Sequence, residues 1–272
     1  MNIIAIIQAR LGSKRYPNKV LEKVNGDTLI SILINRLSDS KQLDKVVVAT
    51  TDSDKDDRLY EEVNNLGYKC YRGDEDNVLK RYFDVAVKEK ADAIVRITGD
   101  CPLIDPSIVD EVIKKFRDNK FDYISNICPP TFPDGMDVEI FTYQSLEESF
   151  LNAKTKDDLE HVTPYIIRNN NFSKYNYKAL EDNSDIRLTV DEKIDYDVVK
   201  KVINYMWKNY GKTFIEYVFL DYFKKSNSHI SIYGEENLRE IIQEDKPVVF
   251  VSGHFANFEL MSMEITKRDI PL

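Results

Sequence analysis

Short apolar runs alternate with amphipathic stretches through the first hundred residues, and no other feature narrows the fold as much. Residues 3–7, 45–50, 68–71 and 93–98 read as strands, and between them 28–37, 54–66 and 77–90 carry apolar residues at helical spacing. Strands alternating with helices imply βαβ units, so the expected class is α/β: a mostly parallel central sheet flanked by helices. Ligands of such sheets bind at the carboxyl ends of the strands. Two loops would lie there, one around Arg10 and one at Gly99-Asp100.

The first of these loops crowds Arg10, Lys14, Arg15 and Lys19 around Gly12, Ser13 and Pro17. An apolar strand that delivers a glycine, backbone N–H groups and fixed cations to one point can hold a polyphosphate. The spacing is neither that of a Walker A loop nor the dinucleotide fingerprint. On charge alone a solvated basic turn explains the loop equally well. The net charge of −9 argues against general nucleic-acid binding and makes a local anion site the better account of clustered cations.

At 272 residues the chain can hold one large domain, or one medium domain plus a fragment. Cys70, Cys101 and Cys128 form neither a CxxC pair nor a zinc pattern, which suits a reducing compartment. No signal peptide precedes Met1 and no apolar run approaches the length of a membrane span, so the expected setting is cytoplasmic. Residues 131–141 and 172–180 are less regular and suggest an antiparallel extension or lid; 191–207 reads as a loop entering a helix. After about Tyr222 a polar junction, KKSNS, leads into a new strand–helix–strand–helix pattern.

Three acidic loops accompany the cationic one. In RITGDCPLIDP, Asp100 follows a buried strand and Gly99, where a carboxylate facing a phosphate loop would take a hard divalent cation. In RLTVDEKIDYDVV, Asp191 again follows a short apolar strand. A helix N-cap competes as the role of each aspartate. The third, FPDGMDVEIF, opens with a turn signal, and its Asp137 and Glu139 alternate with apolar neighbours toward one face of a strand. Two carboxylates and a cationic loop fit metal-assisted attack on a nucleotide phosphate, with the cations stabilising departing pyrophosphate. The residues alone thus reach a Mg-dependent enzyme acting on a phosphorylated ligand.

AIIQARLGSKRYPNKVL, YRGDEDNVLKRY, VRITGDCPLIDP, FPDGMDVEIF, LEHVTPYI and RLTVDEKIDYDVV occur in that order. Together they resemble the cytidylyltransferase family of CMP-sugar synthetases, in its spore-coat polysaccharide branch related to CMP-KDO synthetase, over about residues 1–210. The resemblance implies a GT-A-like nucleotidyltransferase that uses CTP and Mg²⁺, attaches CMP to a sugar and releases pyrophosphate. It implies that Arg10 and Lys19 neutralise the phosphates and act with Asp100 in catalysis. Gly12 and Ser13 would bring backbone close to the phosphates, Ala9 would lie beside the nucleotide, and Arg72 would lie near the base. Asp100 and Asp191 would hold the metal, and Asn126, Asp137, Glu139 and His161 would fall at the sugar. His161 also reads as an ordinary helix-face residue, and Lys14 and Arg15 as solvated neighbours. Gln8 stands where many acidic-sugar synthetases have proline, and DEKIDYD replaces the commoner DTPEDYE, so the acceptor stays open between a KDO-like or nonulosonic acid and another sugar. The expected partners are CTP and a sugar acceptor, with no nucleic acid or membrane, and a homodimer by analogy with related synthetases.

The tail departs from that pattern. ISIYGEENLREIIQEDKPVVFVSGHFANFELMSMEI resembles the start of lipid A biosynthesis lauroyl-type acyltransferases, with His254 and Glu259 in the places of an H-x4-[DE] motif. A histidine oriented by a carboxylate can serve as general base on a hydroxyl. The competing reading has His254 capping a helix and Glu259 solvated. The expected organisation is a cytidylyltransferase domain over 1–222, a junction over 223–229, and an α/β acyltransferase-like fragment over 230–272, inactive in this chain.

Overall fold

A computed structural model of the chain describes residues 1–218, with side chains as far as residue 206. The chain divides into two compact units, Met1–Lys201 and Val202–Leu272. The expected boundary near residue 222 and the acyltransferase-like segment with His254 and Glu259 lie outside the described residues.

In chain order the strands are β1 (Ile3–Gln8), β2 (Lys23–Val24), β3 (Asp27–Thr28), β4 (Lys45–Thr51), β5 (Lys69–Gly73), β6 (Ala93–Thr98), β7 (Tyr123–Ser125), β8 (Glu139–Thr142) and β9 (Lys174–Asn176). The helices are α1 (Leu29–Ser38), α2 (Asp57–Asn65), α3 (Val78–Glu89), α4 (Pro106–Asn119), α5 (Tyr143–Asn152), α6 (Lys156–His161), α7 (Pro164–Arg168) and α8 (Lys193–Val218). Seven strands form one sheet in the order β5-β4-β1-β6-β8-β7-β9. Only β8 runs against the others, pairing antiparallel with β6 and β7. The expectation of an antiparallel extension is therefore met by β8, whereas β9 from the second irregular segment pairs parallel with β7.

The apolar run of β1 does not alternate because both of its faces are covered, as in buried parallel sheets. Ile3, Ala5 and Ile7 pack with Leu33, Leu37, Val63 and Val112, from α1, α2 and α4, on one side. Ile4 and Ile6 pack with Leu79, Tyr82, Leu146 and Ile166, from α3, α5 and α7, on the other. The three-layer arrangement follows from this single strand. Between β1 and α1, Asn25 (φ 56°) and Gly26 (φ 100°) make the two-residue turn of the β2–β3 hairpin, the Asn-Gly geometry that matches strand twist.

From β1 the chain moves outward to β4 and β5, then crosses back to β6 on the other flank of β1. This reversal opens a crevice at the carboxyl ends of β1 and β6. Gly99 closes its floor: its N–H donates to the Gln8 carbonyl at 2.8 Å. A Cβ there would lie 2.8 Å from that of Ala9 and 3.0 Å from Gln8 O, so the two strand ends approach this closely only with glycine.

Candidate active site

The loop leaving β1 is fixed at its ends and open at its tip. Ala9 N–H donates to Ala49 O at 3.3 Å, and Asn18 N–H donates to Leu11 O at 3.1 Å. Leu11 N–H donates to Asp56 Oδ1 at 2.7 Å, and Asp56 is itself held by the Thr51 hydroxyl. Between these anchors the amides of Arg10, Gly12, Ser13, Lys14 and Arg15 have no acceptor among the described residues. A run of unpaired N–H groups beside fixed cations suits oxyanions.

The charged groups meet on Lys19. Its Nζ lies 2.9 Å from Asp100 Oδ2 and 2.9 Å from Asp191 Oδ1, with the lysine buried. Asp191 also takes Arg15 at 2.9 Å and Arg187 at 3.0 Å. Burial alone would raise the Asp191 pKa; hydrogen bonds from Lys19 and Arg187 and the Lys19 and Arg15 charges outweigh it and pull it below the usual carboxylate value. Neither aspartate is an N-cap. Asp105 caps α4 by accepting from Ser107 N–H at 2.8 Å, and the Asp195 carboxylate receives the N–H groups of Asp191 and Glu192 at 2.9 Å each.

The strip before α8 is stitched into this site from both sides. Val190 N–H donates to Asp100 O at 2.8 Å, and Leu188 N–H donates to Asp134 O at 2.7 Å. Gly135, at φ 103°, lies so close that a Cβ would sit 2.7 Å from Thr189 N. Arg187 locks the arrangement by pairing with Asp134, Asp191 and Asp195 together. Beside it Asp137 is pushed up to about 6 by burial and then by the charges of Asp134 and Glu139.

The remaining candidates fall into different roles. Arg10 is half-exposed and meets Glu75 only at 4.0 Å, so its guanidinium is available to a ligand. A Cβ on Gly12 would meet only Glu75 Oε1, at 4.0 Å, and Ser13 accepts weakly from Tyr16 N–H at 3.4 Å. Arg72, expected near the base, braces the loop after β4 instead: it donates to Thr51 O, Ser53 O and Asp57 at 3.0, 2.7 and 2.6 Å. Asn126, expected at the sugar, bridges Met136 O and Val138 N–H at 2.8 Å each. Glu139 is 1 % exposed, and its carboxylate is taken by Arg96, Tyr123 and Thr163. His161 ends α6 with its imidazole exposed, 3.8 Å from Asp157, which is the helix-face reading. Arg15 is a correction in the other direction, since it pairs with Asp191 rather than with solvent alone. Arg187 and Asp56 were not singled out from the sequence. The signal for Arg187 was its place four residues before Asp191; Asp56 was hidden within the acid-rich TDSDKDD.

Two aspartate carboxylates around one buried cation are hard oxygen donors of the kind Mg²⁺ accepts, because Mg²⁺ commonly takes one or two carboxylates and fills its octahedron with phosphates and water. No group of three or more His, Cys, Asp or Glu side chains suited to a metal occurs among the described residues.

The chain matches the family described as cytidylyltransferase over residues 4–237. It belongs to that family. This cytidylyltransferase is 42 % identical over 201 residues to an uncharacterized protein of Methanocaldococcus jannaschii, covering 72 % of this chain and 81 % of that one. It is 35 % identical over 214 residues to the spore coat polysaccharide biosynthesis protein SpsF of Bacillus subtilis, covering 73 % and 85 %. A solved cytidylyltransferase from Leptospira borgpetersenii superposes with a TM-score of 0.73 at 31 % identity, over 92 % of this chain and 100 % of that one. A CMP-2-keto-3-deoxy-manno-octonic acid synthetase solved with CTP shares the fold, with a TM-score of 0.60 at 18 % identity over 76 % and 100 %. The protein is thus a nucleotidyltransferase enzyme of α/β architecture. No described helix is long and apolar enough to cross a membrane.

Proposed function

We propose that this cytidylyltransferase transfers CMP from CTP to a sugar hydroxyl, with Mg²⁺, releasing pyrophosphate for surface polysaccharide synthesis. The observation that carries the reading is the Lys19 ammonium seated between Asp100 and Asp191, next to the open amides of the loop after β1. Similarity to SpsF and, over 121 residues at 35 % identity and 44 % of this chain, to a 3-deoxy-manno-octulosonate cytidylyltransferase of Pelobacter propionicus supports the substrate class.

In this reading Asp100 and Asp191 would hold Mg²⁺, which would supply Lewis-acid stabilisation of phosphate charge. Lys19 exchanges its carboxylates for phosphate oxygens as the triphosphate enters. Arg10 and the amides of Arg10 and of residues 12–15 take the β- and γ-phosphates and stabilise the negative charge that grows on departing pyrophosphate. Arg187 keeps Asp191 oriented while Lys19 and Arg15 leave it. The acceptor enters over β6 and β8, where Asp137 can bind a sugar hydroxyl. The attack is in line on the α-phosphate, and positioning supplies much of the rate.

Pyrophosphate release in a panel of ulosonic acids and neutral sugars with CTP and Mg²⁺ tests the activity. Asp100→Ala is expected to lower turnover at least a hundredfold. Full turnover in that variant would remove the metal assignment.

A further inference from the structure

Asp100, Asp134, Asp137, Glu139 and Asp191 gather over β6 and β8, and all but Asp137 are already engaged. Asp100 and Asp191 share the Lys19 ammonium, and Asp134 pairs with Arg187. Glu139 accepts from Arg96, Tyr123 and Thr163 together, so it has little capacity left for a proton. His161 is exposed and lies beside Asp157 on its own helix. Asp137 is half-buried, yet its carboxylate has neither a hydrogen bond nor an ion pair among the described residues. A carboxylate withdrawn from water without a donor is unfavourable when charged, and so is a ready proton acceptor.

The backbone fixes where this carboxylate sits. Asn126 splints the chain around it: Nδ2 donates to Met136 O and Oδ1 accepts from Val138 N–H, at 2.8 Å each. Both peptide groups that flank Asp137 are therefore held. Val138 and Ile140 pack into the core on the side of α1, α2 and α4, so alternation puts Asp137 with Glu139 on the other face. Glu139 lies opposite Arg96 in the antiparallel β6–β8 ladder. Two residues further along that register Asp137 comes abreast of Thr98, at the carboxyl end of β6. From Thr98 to Asp100 an extended chain advances about 7 Å. An attacking hydroxyl needs its base at about 2.6–3.2 Å and its target atom at about 3–3.5 Å. That separation leaves room for one hydroxyl between Asp137 and an α-phosphate near Asp100.

We propose that Asp137 is the general base of CMP transfer, its carboxylate taking the proton of the acceptor hydroxyl as that oxygen attacks the α-phosphorus of CTP. The new bond joins the hydroxyl oxygen to the α-phosphorus. The bond from the α-phosphorus to the oxygen bridging toward the β-phosphate breaks, and its electron pair leaves on pyrophosphate. Asp137 carries the proton until water removes it as the products depart. The assignment rests on the reading that CTP and a sugar hydroxyl are the substrates. The groups facing Asp137 tune it for this work. Burial, Asp134 in the preceding turn, Glu139 on β8 and Asp100 after β6 raise its pKa, and Arg96 on β6 lowers it, leaving it at about 6. The Cys101 thiol, which also faces it, is kept neutral by burial. A base of that strength is ionised at neutral pH and still takes up a proton readily.

The test compares the unaltered chain with Asp137→Asn and Asp137→Glu, using CTP, Mg²⁺ and whichever ulosonic acid or neutral sugar of the panel the unaltered chain turns over fastest. Asparagine keeps the size and hydroxyl-binding capacity of aspartate but cannot take the proton. In Asp137→Asn kcat is expected to fall at least a hundredfold. The sugar KM, and the CTP affinity read from the shift in melting temperature, are expected to stay within about threefold. Asp137→Glu restores a carboxylate and is expected to recover at least tenfold of the loss. The pH profile supplies a second measurement, which carries the test if Asp137→Asn does not fold. In the unaltered chain kcat/KM should fall about tenfold per pH unit on the acid side of the Asp137 pKa, a limb missing from Asp137→Asn. Turnover by folded Asp137→Asn within about threefold of the unaltered chain overturns the proposal. A loss confined to KM or CTP affinity makes Asp137 a binding residue alone and overturns it too, as does a flat profile between about pH 7.5 and 5. No pyrophosphate release by the unaltered chain with any panel sugar defeats the CMP-transfer reading itself, a result separable from a defect confined to the variants.

Discussion

Replacing Lys19 by methionine should move metal affinity and turnover in opposite directions. The Lys19 ammonium lies 2.9 Å from an oxygen of Asp100 and 2.9 Å from an oxygen of Asp191, so those oxygens are no further apart than twice that distance. Two unit charges at this separation repel by about 3 kcal/mol at an effective dielectric constant of about 20. Arg15 and Arg187 remain on Asp191 and offset part of this. If about half survives, roughly 1.4 kcal/mol favours any dication that replaces the ammonium, or about tenfold in affinity. Lys19→Met should therefore bind Mn²⁺ about tenfold more tightly than the unaltered chain without nucleotide, read by electron paramagnetic resonance of the free ion. The same variant should release pyrophosphate from CTP at least a hundredfold more slowly, because the phosphates lose their buried cation. Folded Lys19→Met with unchanged or weaker Mn²⁺ binding would refute the idea that lysine and metal compete for one carboxylate pair.

Two further predictions concern pH. Burial would raise the Glu89 pKa, but hydrogen bonds from Lys45, Lys69 and Tyr71 outweigh it and bring it to about 2. A pKa lowered on folding stabilises above the unfolded value and is lost as pH falls through the folded one. The shift corresponds to about 3 kcal/mol, and exposure of the two lysines reduces the expected contribution to about 2 kcal/mol. Glu89→Gln should thus melt lower at pH 7, with the gap closing toward pH 2; a gap of constant size over that range would contradict the assignment. Asp137 has the opposite sign: its pKa is raised to about 6, so the fold loses stability as pH rises from about 4 to 6. Asp137→Asn should melt higher than the unaltered chain at pH 7.5 and level with it at pH 4, while CMP transfer slows.

The half of the sheet that was legible in the sequence is the half built from long-range parallel strands buried on both faces. β1, β4, β5 and β6 each hold five to seven residues, and the apolar runs of β1 and β4 are near-continuous because helices cover both sides, while β5 at the sheet edge is only half-buried. β7 and β9 have only three residues each, too few for any period to emerge, and their pairing depends on partners tens of residues away. The β2–β3 hairpin is a different matter, because Asn25-Gly26 is itself a turn signal that the sequence carried openly.

The site divides along a similar line. Strand ends can be located from an apolar run and a glycine, which places the Arg10 and Gly99-Asp100 loops at the crevice; Lys19 and Asp191 meet Asp100 there through ion pairs, and no strand precedes Asp191 as the sequence pattern suggests. What a side chain does there depends on which neighbour neutralises it, and that is set by tertiary contact. Arg72 and Arg187 are both arginines beside acidic stretches, yet Arg72 is spent bracing a loop while Arg187 aligns the aspartate opposite Lys19. Glu139 and Asp137 lie two residues apart, but Arg96, Tyr123 and Thr163 take up the first and leave the second with a raised pKa. Arg81 is the sharpest case. In sequence it is one more cation on an amphipathic helix; in space its buried Nε and Nη1 have no hydrogen-bond partner among the described residues, whereas Arg96 donates to Glu139. What each charged group in this crevice can do depends on which neighbours in space take up its charge, as the Lys19–Asp100–Asp191 contacts and the Arg96–Glu139 pair both show.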